Sequence, residues 1–338
     1  YINSGRGSNT ITFTSKDGYE FTKKELLMTT DDYPADMSNH VRDPKIFKKN
    51  EKYYMVLGAR DVEGVGMILL YESTDLKNWT YKNRITTPQK FGYMWECPDL
   101  FEMDGQLYII CCPQGVETKG IDYENVHQVT AMKLDYDFDT DEYEITDIKL
   151  FDRGFDFYAP QSFEDESGRR ILIGWMGIPD ADYTNPTEEA GWQHALTIPR
   201  ELSVRDGKLI QEPIEELKQL RSEDKAVCTF CYGQTIIMQN AIYEAVVDFK
   251  RCREMVMTLR EGITLSYKDN ILTLNLGVYG SGRSTRKVRL EKLEHLQIFA
   301  DTSSLEIFVN HGEEVFTTRI YNHYGRLLIN GECSGIMT

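Results

Sequence analysis

Short apolar blocks such as Tyr53 to Leu57 and Leu107 to Ile110, each bounded by polar turns, recur along the chain in the manner of buried or half-buried strands. Helical spacing is almost absent before residue 212. Three of the strands open alike. Asp43-Pro-Lys-Ile-Phe47, Cys97-Pro-Asp-Leu-Phe101 and Ala159-Pro-Gln-Ser-Phe163 each lead through a polar turn into a second apolar strand. A further element, Ile11 to Phe21, is similar to Ile68 to Trp79. Repetition at this spacing, with Pro44, Pro98 and Pro160 as markers, predicts four-stranded antiparallel blades of a β-propeller. Each proline is expected at the first residue of a strand, where no ladder donor is needed.

In a propeller the first strand of each blade lies innermost, so the residues just before these prolines are expected around one channel mouth. That brings together Arg42-Asp43, Trp95-Glu96 and the run Asp156 to Tyr158. Alternation along a strand sends neighbours to opposite faces, so only some of each group can face the channel. Three repeats, plus the outer strands of an earlier one in residues 1 to 30, leave the ring open. One complete blade and part of another, on the order of 110 to 150 residues, are therefore expected before Tyr1. The chain is expected to be a fragment, or one half of a nicked protein whose amino-terminal segment is its partner.

Beyond the blades, Pro213 to Arg221 carries proline where N1 would fall and apolar residues at Ile214, Leu217 and Leu220, which predicts a short linking helix. Strands are predicted at Thr235 to Met238, Ala241 to Phe249, Ile271 to Leu276, Leu296 to Phe299, Leu305 to Val309 and Val315 to Ile320. Turns at Tyr279 to Gly282 and Asn310 to Gly312 punctuate them. A β-sandwich is the natural closure. The expected organisation is an all-β chain: a partial propeller over 1–211, a linking helix over 212–224 and a sandwich over 225–338.

Composition narrows the function. The net charge of −16, spread without long blocks, argues against nucleic acid as a partner. No apolar run approaches the roughly 18 residues of a membrane span. Seven cysteines, an odd number with Cys111 and Cys112 inside an apolar strand, point to reduced thiols and a cytoplasmic protein. Cys228 and Cys231 form a single CxxC with no second pair, and the six histidines lack metal-like spacing, so no metal and no cofactor is expected. Gly280 to Gly282 is read as a hairpin rather than a phosphate cradle.

A glycosidase needs two carboxyl groups across the scissile bond. Glu96, directly before the Cys97-Pro98 step and flanked by large apolar residues, suits a proton donor in a partly dry setting. Asp43, at the corresponding repeat position, suits a group that hydrogen-bonds sugar hydroxyls and steadies a developing positive charge. An Arg42–Asp43 salt bridge stapling the blade is the structural alternative for that pair. Asp156 is a third candidate by the same logic, and Trp95 and Tyr158, beside the acids, are candidate platforms under a sugar ring.

Val41-Arg-Asp-Pro44, Trp95-Glu-Cys-Pro98 and Asp156-Phe-Tyr-Ala-Pro-Gln161 resemble the motifs of glycoside hydrolase family 32. The stretch Leu296 to Asn310 resembles that family's sandwich domain. The resemblance implies a five-bladed propeller with a β-sandwich, and retaining hydrolysis of terminal fructosyl units from sucrose, sucrose 6-phosphate or fructans. It implies that Glu96 is the general acid/base, that Asp43 is the transition-state stabiliser, and that Arg42 binds sugar hydroxyls or orients Asp43. The family's nucleophile motif, Trp-Met-Asn-Asp-Pro-Asn-Gly, does not occur in this sequence, and the nucleophile is expected upstream of Tyr1. A non-catalytic carbohydrate-binding propeller and a propeller arabinanase or xylosidase are the competing readings.

Overall fold

The computed structural model describes residues 7–223, 226–233, 235–322 and 324–338; residues 1–6 of the expected early blade and residue 224 of the expected linker lie outside them. Two compact units emerge, Tyr1–Glu117 with His127–Lys149, and Thr118–Val126 with Leu150–Thr338.

In the first unit, β1 (Thr10–Thr12) pairs with β2 (Glu25–Met28). Two four-stranded antiparallel meanders follow. One runs through β3 (Met37–Lys49), β4 (Lys52–Asp61), β5 (Gly66–Ser73) and β6 (Thr80–Ile85). The other comprises β7 (Met94–Met103), β8 (Gln106–Gln114), β9 (Thr130–Tyr136) and β10 (Tyr143–Leu150). Strands β3, β4 and β5 pack against β7. The core between the two sheets is built on Tyr54, Val56, Ile68, Leu70, Trp95, Leu100 and Ile109, all nearly solvent-free.

The second unit holds a third blade, β11 (Tyr158–Glu164), β12 (Arg170–Trp175), β13 (Arg200–Arg205) and β14 (Lys208–Pro213). Its sandwich strands are β15 (Cys228–Cys231), β16 (Thr235–Met238), β17 (Tyr243–Arg260), β18 (Ile263–Lys268), β19 (Ile271–Asn275), β20 (Thr285–Arg289), β21 (His295–Asp301), β22 (Ser304–Val309), β23 (Glu314–Arg319) and β24 (Leu327–Met337). The 18-residue β17 pairs with β21 through its first half and with β18 through its second. Bulges between Phe249 and Arg251 and between Cys252 and Glu254 separate the halves where it also pairs with β24. One continuous strand thus serves both halves of the assembly, whose shared core includes Val247, Met257, Leu265, Leu274, Ile298 and Ile307. The fold is all-β, propeller blades followed by a β-sandwich.

The prolines do not begin their strands. Pro44 lies inside β3, Pro98 inside β7 and Pro160 inside β11. In all three the register shifts at that point, between Arg42 and Lys45, Glu96 and Asp99, and Tyr158 and Gln161. The residue before each proline has a left-handed backbone, with φ of 60° at Asp43, 50° at Cys97 and 47° at Ala159. The repeat therefore encodes a β-bulge, where proline is tolerated within a sheet because the ladder is locally interrupted.

The expected linking helix is a 3-10 turn over Glu215–Leu220, and Pro213 closes β14 instead of starting it. The division expected at 211 and 225 lies within the second unit, and across it buried Arg200 of β13 reaches Glu306 of β22 and Thr317 of β23.

Candidate active site

The bulges in β3 and β7 bring Asp43 and Glu96 next to each other, although 53 positions separate them. Asp43 Oδ2 accepts the backbone N–H of Cys97 at 2.9 Å, and the Cys97 thiol approaches the same oxygen at 3.6 Å. Left-handed backbone at a residue other than glycine carries strain of roughly 1–3 kcal/mol, and here it occurs both at Asp43 and at the residue after Glu96.

Glu96 is held on both oxygens. Arg42 donates to Oε1 from Nε at 2.8 Å and from Nη2 at 2.6 Å, while Gln114 Nε2 donates to Oε2 at 2.8 Å. The Arg42 Nη1 donor is taken by His40 Nδ1 at 2.8 Å. Guanidinium has no acceptor, so His40 Nδ1 must present its lone pair. The salt bridge of Arg42 thus crosses between blades to Glu96 rather than stapling its own neighbour Asp43. Side chains of Arg42 and Glu96 keep 28% and 16% of their surface, enough for a ligand to touch.

Glu96 is partly covered, while its neighbour Trp95 is removed from solvent altogether. Alternation along β7 sends Trp95 into the core, fully buried, with its indole N–H donated to the Phe91 carbonyl at 2.7 Å. A buried ring cannot stack on a sugar, so Trp95 is not a platform. Gly58 of β4 explains the close fit of the two blades: a Cβ there would overlap the Trp95 carbonyl oxygen and stand 3.3 Å from the Glu96 Cα.

Asp156 and Tyr158 belong to the second unit, and both are occupied there. Asp156 is 1% exposed. Its Oδ2 takes the Arg283 guanidinium, the Thr318 hydroxyl at 2.9 Å and the Arg319 N–H at 2.8 Å, and its Oδ1 takes the Tyr183 hydroxyl. Burial, then the adjacent Asp156 charge, pushes the Tyr183 phenol well up, so it remains a donor. A carboxylate saturated in this way ties blade to sandwich instead of binding substrate. Tyr158 is buried edge-on to Trp175.

His40 and Gln114 escaped the sequence reading. The Asp104-Gly105 turn between β7 and β8 carries the signal for Gln114, since counting back from it brings that end of β8 opposite Glu96, within one residue of the bulge shift.

The profile of the glycosyl hydrolases family 32 N-terminal domain matches residues 3–213, and that of the family's C-terminal domain matches residues 222–334. The chain belongs to glycosyl hydrolase family 32. Among family relatives, the sucrose-6-phosphate hydrolase of Staphylococcus xylosus is 37% identical over 85% of this chain and 62% of its own length. That of Bacillus subtilis is 34% identical over 95% of this chain and 69% of its own length. The chain thus spans somewhat under two thirds of the first and slightly over two thirds of the second. The solved sucrose-6-phosphate hydrolase of Lactobacillus gasseri superimposes with a TM-score of 0.85 at 27% identity, covering 97% of this chain and 71% of that one. The family 32 beta-fructofuranosidase of Bombyx mori does so at 0.78 and 28% identity, covering 98% and 74%. Among the described residues, no helix is long and apolar enough to cross a membrane.

Proposed function

We propose that this chain carries two working carboxylates of a retaining β-fructofuranosidase, a glycosidase that releases terminal fructose from sucrose or sucrose 6-phosphate. The carrying observation is the adjacency of Glu96, held by Arg42 and Gln114, to Asp43, whose carboxylate is anchored on the Cys97 N–H. In this reading Glu96 protonates the departing glycosidic oxygen and later takes a proton from the attacking water. Arg42 and Gln114 fix its orientation before the reaction begins, which removes part of the entropic barrier. Asp43 hydrogen-bonds fructosyl hydroxyls and steadies the oxocarbenium-like charge, while Arg42 reaches neighbouring hydroxyls. The attacking carboxylate is assigned to no residue of this chain.

The names of the relatives favour sucrose and its 6-phosphate over arabinan or xylan. Seven free thiols, that of Cys111 pushed up to about 12 by burial, suit a reducing compartment, and we place the protein in the cytoplasm with a small sugar as its partner. The test is Glu96→Gln in the full-length protein. Hydrolysis of both sugars should fall by about 10² to 10⁴ with unchanged far-ultraviolet circular dichroism. Wild-type rates in that variant refute the reading.

A further inference from the structure

Arg60 and Lys90 stand out in this acidic chain. Arg60 lies at the end of β4 with its guanidinium 5.1 Å from the centre of the Tyr93 ring. Lys90 is exposed on the segment leading into β7. Neither has a carboxylate partner among the described residues. The carboxylate nearest Arg60 in sequence, Asp61, accepts the Val65 N–H at 2.8 Å and forms no ion pair with Arg60.

Both cations converge over Gly64. Gly64, with φ of 73°, has no side chain, and the point where its Cβ would stand is 3.5 Å from Arg60 Nη2 and 3.7 Å from Lys90 Nζ. Two like charges that converge without a counter-ion repel each other, and an anion seated between them turns that repulsion into attraction on both sides. The backbone around them is held in place. The Gly66 N–H donates to the Gly92 carbonyl at 3.3 Å, and the Tyr93 N–H to the Gln114 carbonyl at 2.8 Å.

Arg60 also has a fixed relation to Glu96. Gly58 backs onto the Glu96 Cα, and Arg60 lies two residues further along the same face of β4, an advance of about 6.7 Å. That is a reach on the scale of a sugar ring. Arg60 and a flexible lysine together offer the forked and point-charge donors that suit phosphate oxygens.

We propose that Arg60 and Lys90, side by side over Gly64, form a subsite for the phosphate monoester of the leaving sugar. The inference rests on the fructosidase reading of Glu96 and sharpens it: the subsite selects a phosphorylated disaccharide over a neutral one.

The experiment compares kcat/KM on sucrose 6-phosphate and on sucrose for the full-length protein, Arg60→Gln, Lys90→Gln and the double variant. The double variant should lose about 100-fold or more on sucrose 6-phosphate, mostly through KM, and at least ten times less than that on sucrose. Equal losses on the two sugars, or a loss below about threefold on the phosphorylated one, overturn the subsite while leaving the fructosidase reading intact. A wild-type protein that cleaves neither sugar overturns the fructosidase reading. Titration calorimetry with glucose 6-phosphate, glucose and inorganic phosphate then decides the subsite by itself. Preference for glucose 6-phosphate over the other two, abolished in the double variant, sustains it; equal affinity for the two sugars, or tightest binding of inorganic phosphate, overturns it.

Discussion

Replacing Arg200 by methionine removes the cation that two buried carboxylates share. Arg200 is fully buried; Nη1 reaches Asp152 at 3.2 Å and Gln211 at 2.9 Å, and Nη2 reaches Glu306 at 2.7 Å and Thr317 at 2.6 Å. Breaking a buried ion pair from one side costs about 3–5 kcal/mol, because the partner charge stays desolvated. In the native protein burial already pushes both the Asp152 and Glu306 carboxyls up, and the Arg200 charge is the largest opposing influence on each. A folded-state value above the unfolded one means that the folded chain holds the proton more tightly. Its stabilising contribution is full below the unfolded carboxylate range, near pH 4, and is lost as pH rises through the folded value. Without Arg200 the folded values climb further, so the loss deepens and moves to higher pH. Urea denaturation at pH 5, 6, 7 and 8 should show a deficit of about 3–5 kcal/mol at pH 8 that shrinks towards pH 5. Adding Asp152→Asn and Glu306→Gln should remove the pH dependence. A deficit equal at pH 5 and pH 8, or none at pH 8, refutes this account of the network.

Three further outcomes follow from positions in the two blades that carry Asp43 and Glu96. Gly58→Ala drives a Cβ into the Trp95 carbonyl, and should cost about 1–3 kcal/mol of stability and more than tenfold in kcat by displacing Glu96, read from thermal melts and initial rates. Gly105→Ala, at a left-handed position with open space around it, should cost about 1 kcal/mol and leave kcat as it was. Trp95→Phe loses the hydrogen bond to Phe91 and some packing, which should lower stability by about 1–3 kcal/mol. Its KM for sucrose should stay within about twofold of wild type once the ring is understood as core; a tenfold rise in KM would return Trp95 to the sugar.

The repeat made the blades legible because each proline step is followed by an aromatic residue and a second apolar strand, and the same alignment singled out Asp43 and Glu96. Orientation was harder to read. Trp95, Asp156 and Tyr158 lie within four residues of a proline step, as the two acids do, yet the pleat and the local partners bury all three. Nothing in the run from Asp156 to Tyr158 announces Arg283, 127 positions away, which claims Asp156. The bulges were equally hidden, since a proline that starts a strand and one that interrupts a strand read alike. In the sandwich, β17 extends to Arg260 through Lys250, Arg251, Arg253 and Glu254, a polar run at the bulges that obscures its continuity.

Ala159 has the same left-handed backbone before proline as Asp43 and Cys97, without a functional group on its side chain. The backbone kink is thus a property of the scaffold, and the chemistry is an addition to it. A fold built this way supplies a series of equivalent mounting points, each already bent to present whatever residue stands there. Changing the repertoire of such a protein is a matter of refitting single positions, and the main chain need not be redesigned each time. New activities can then arise by point substitution, with the scaffold's stability largely decoupled from the trial.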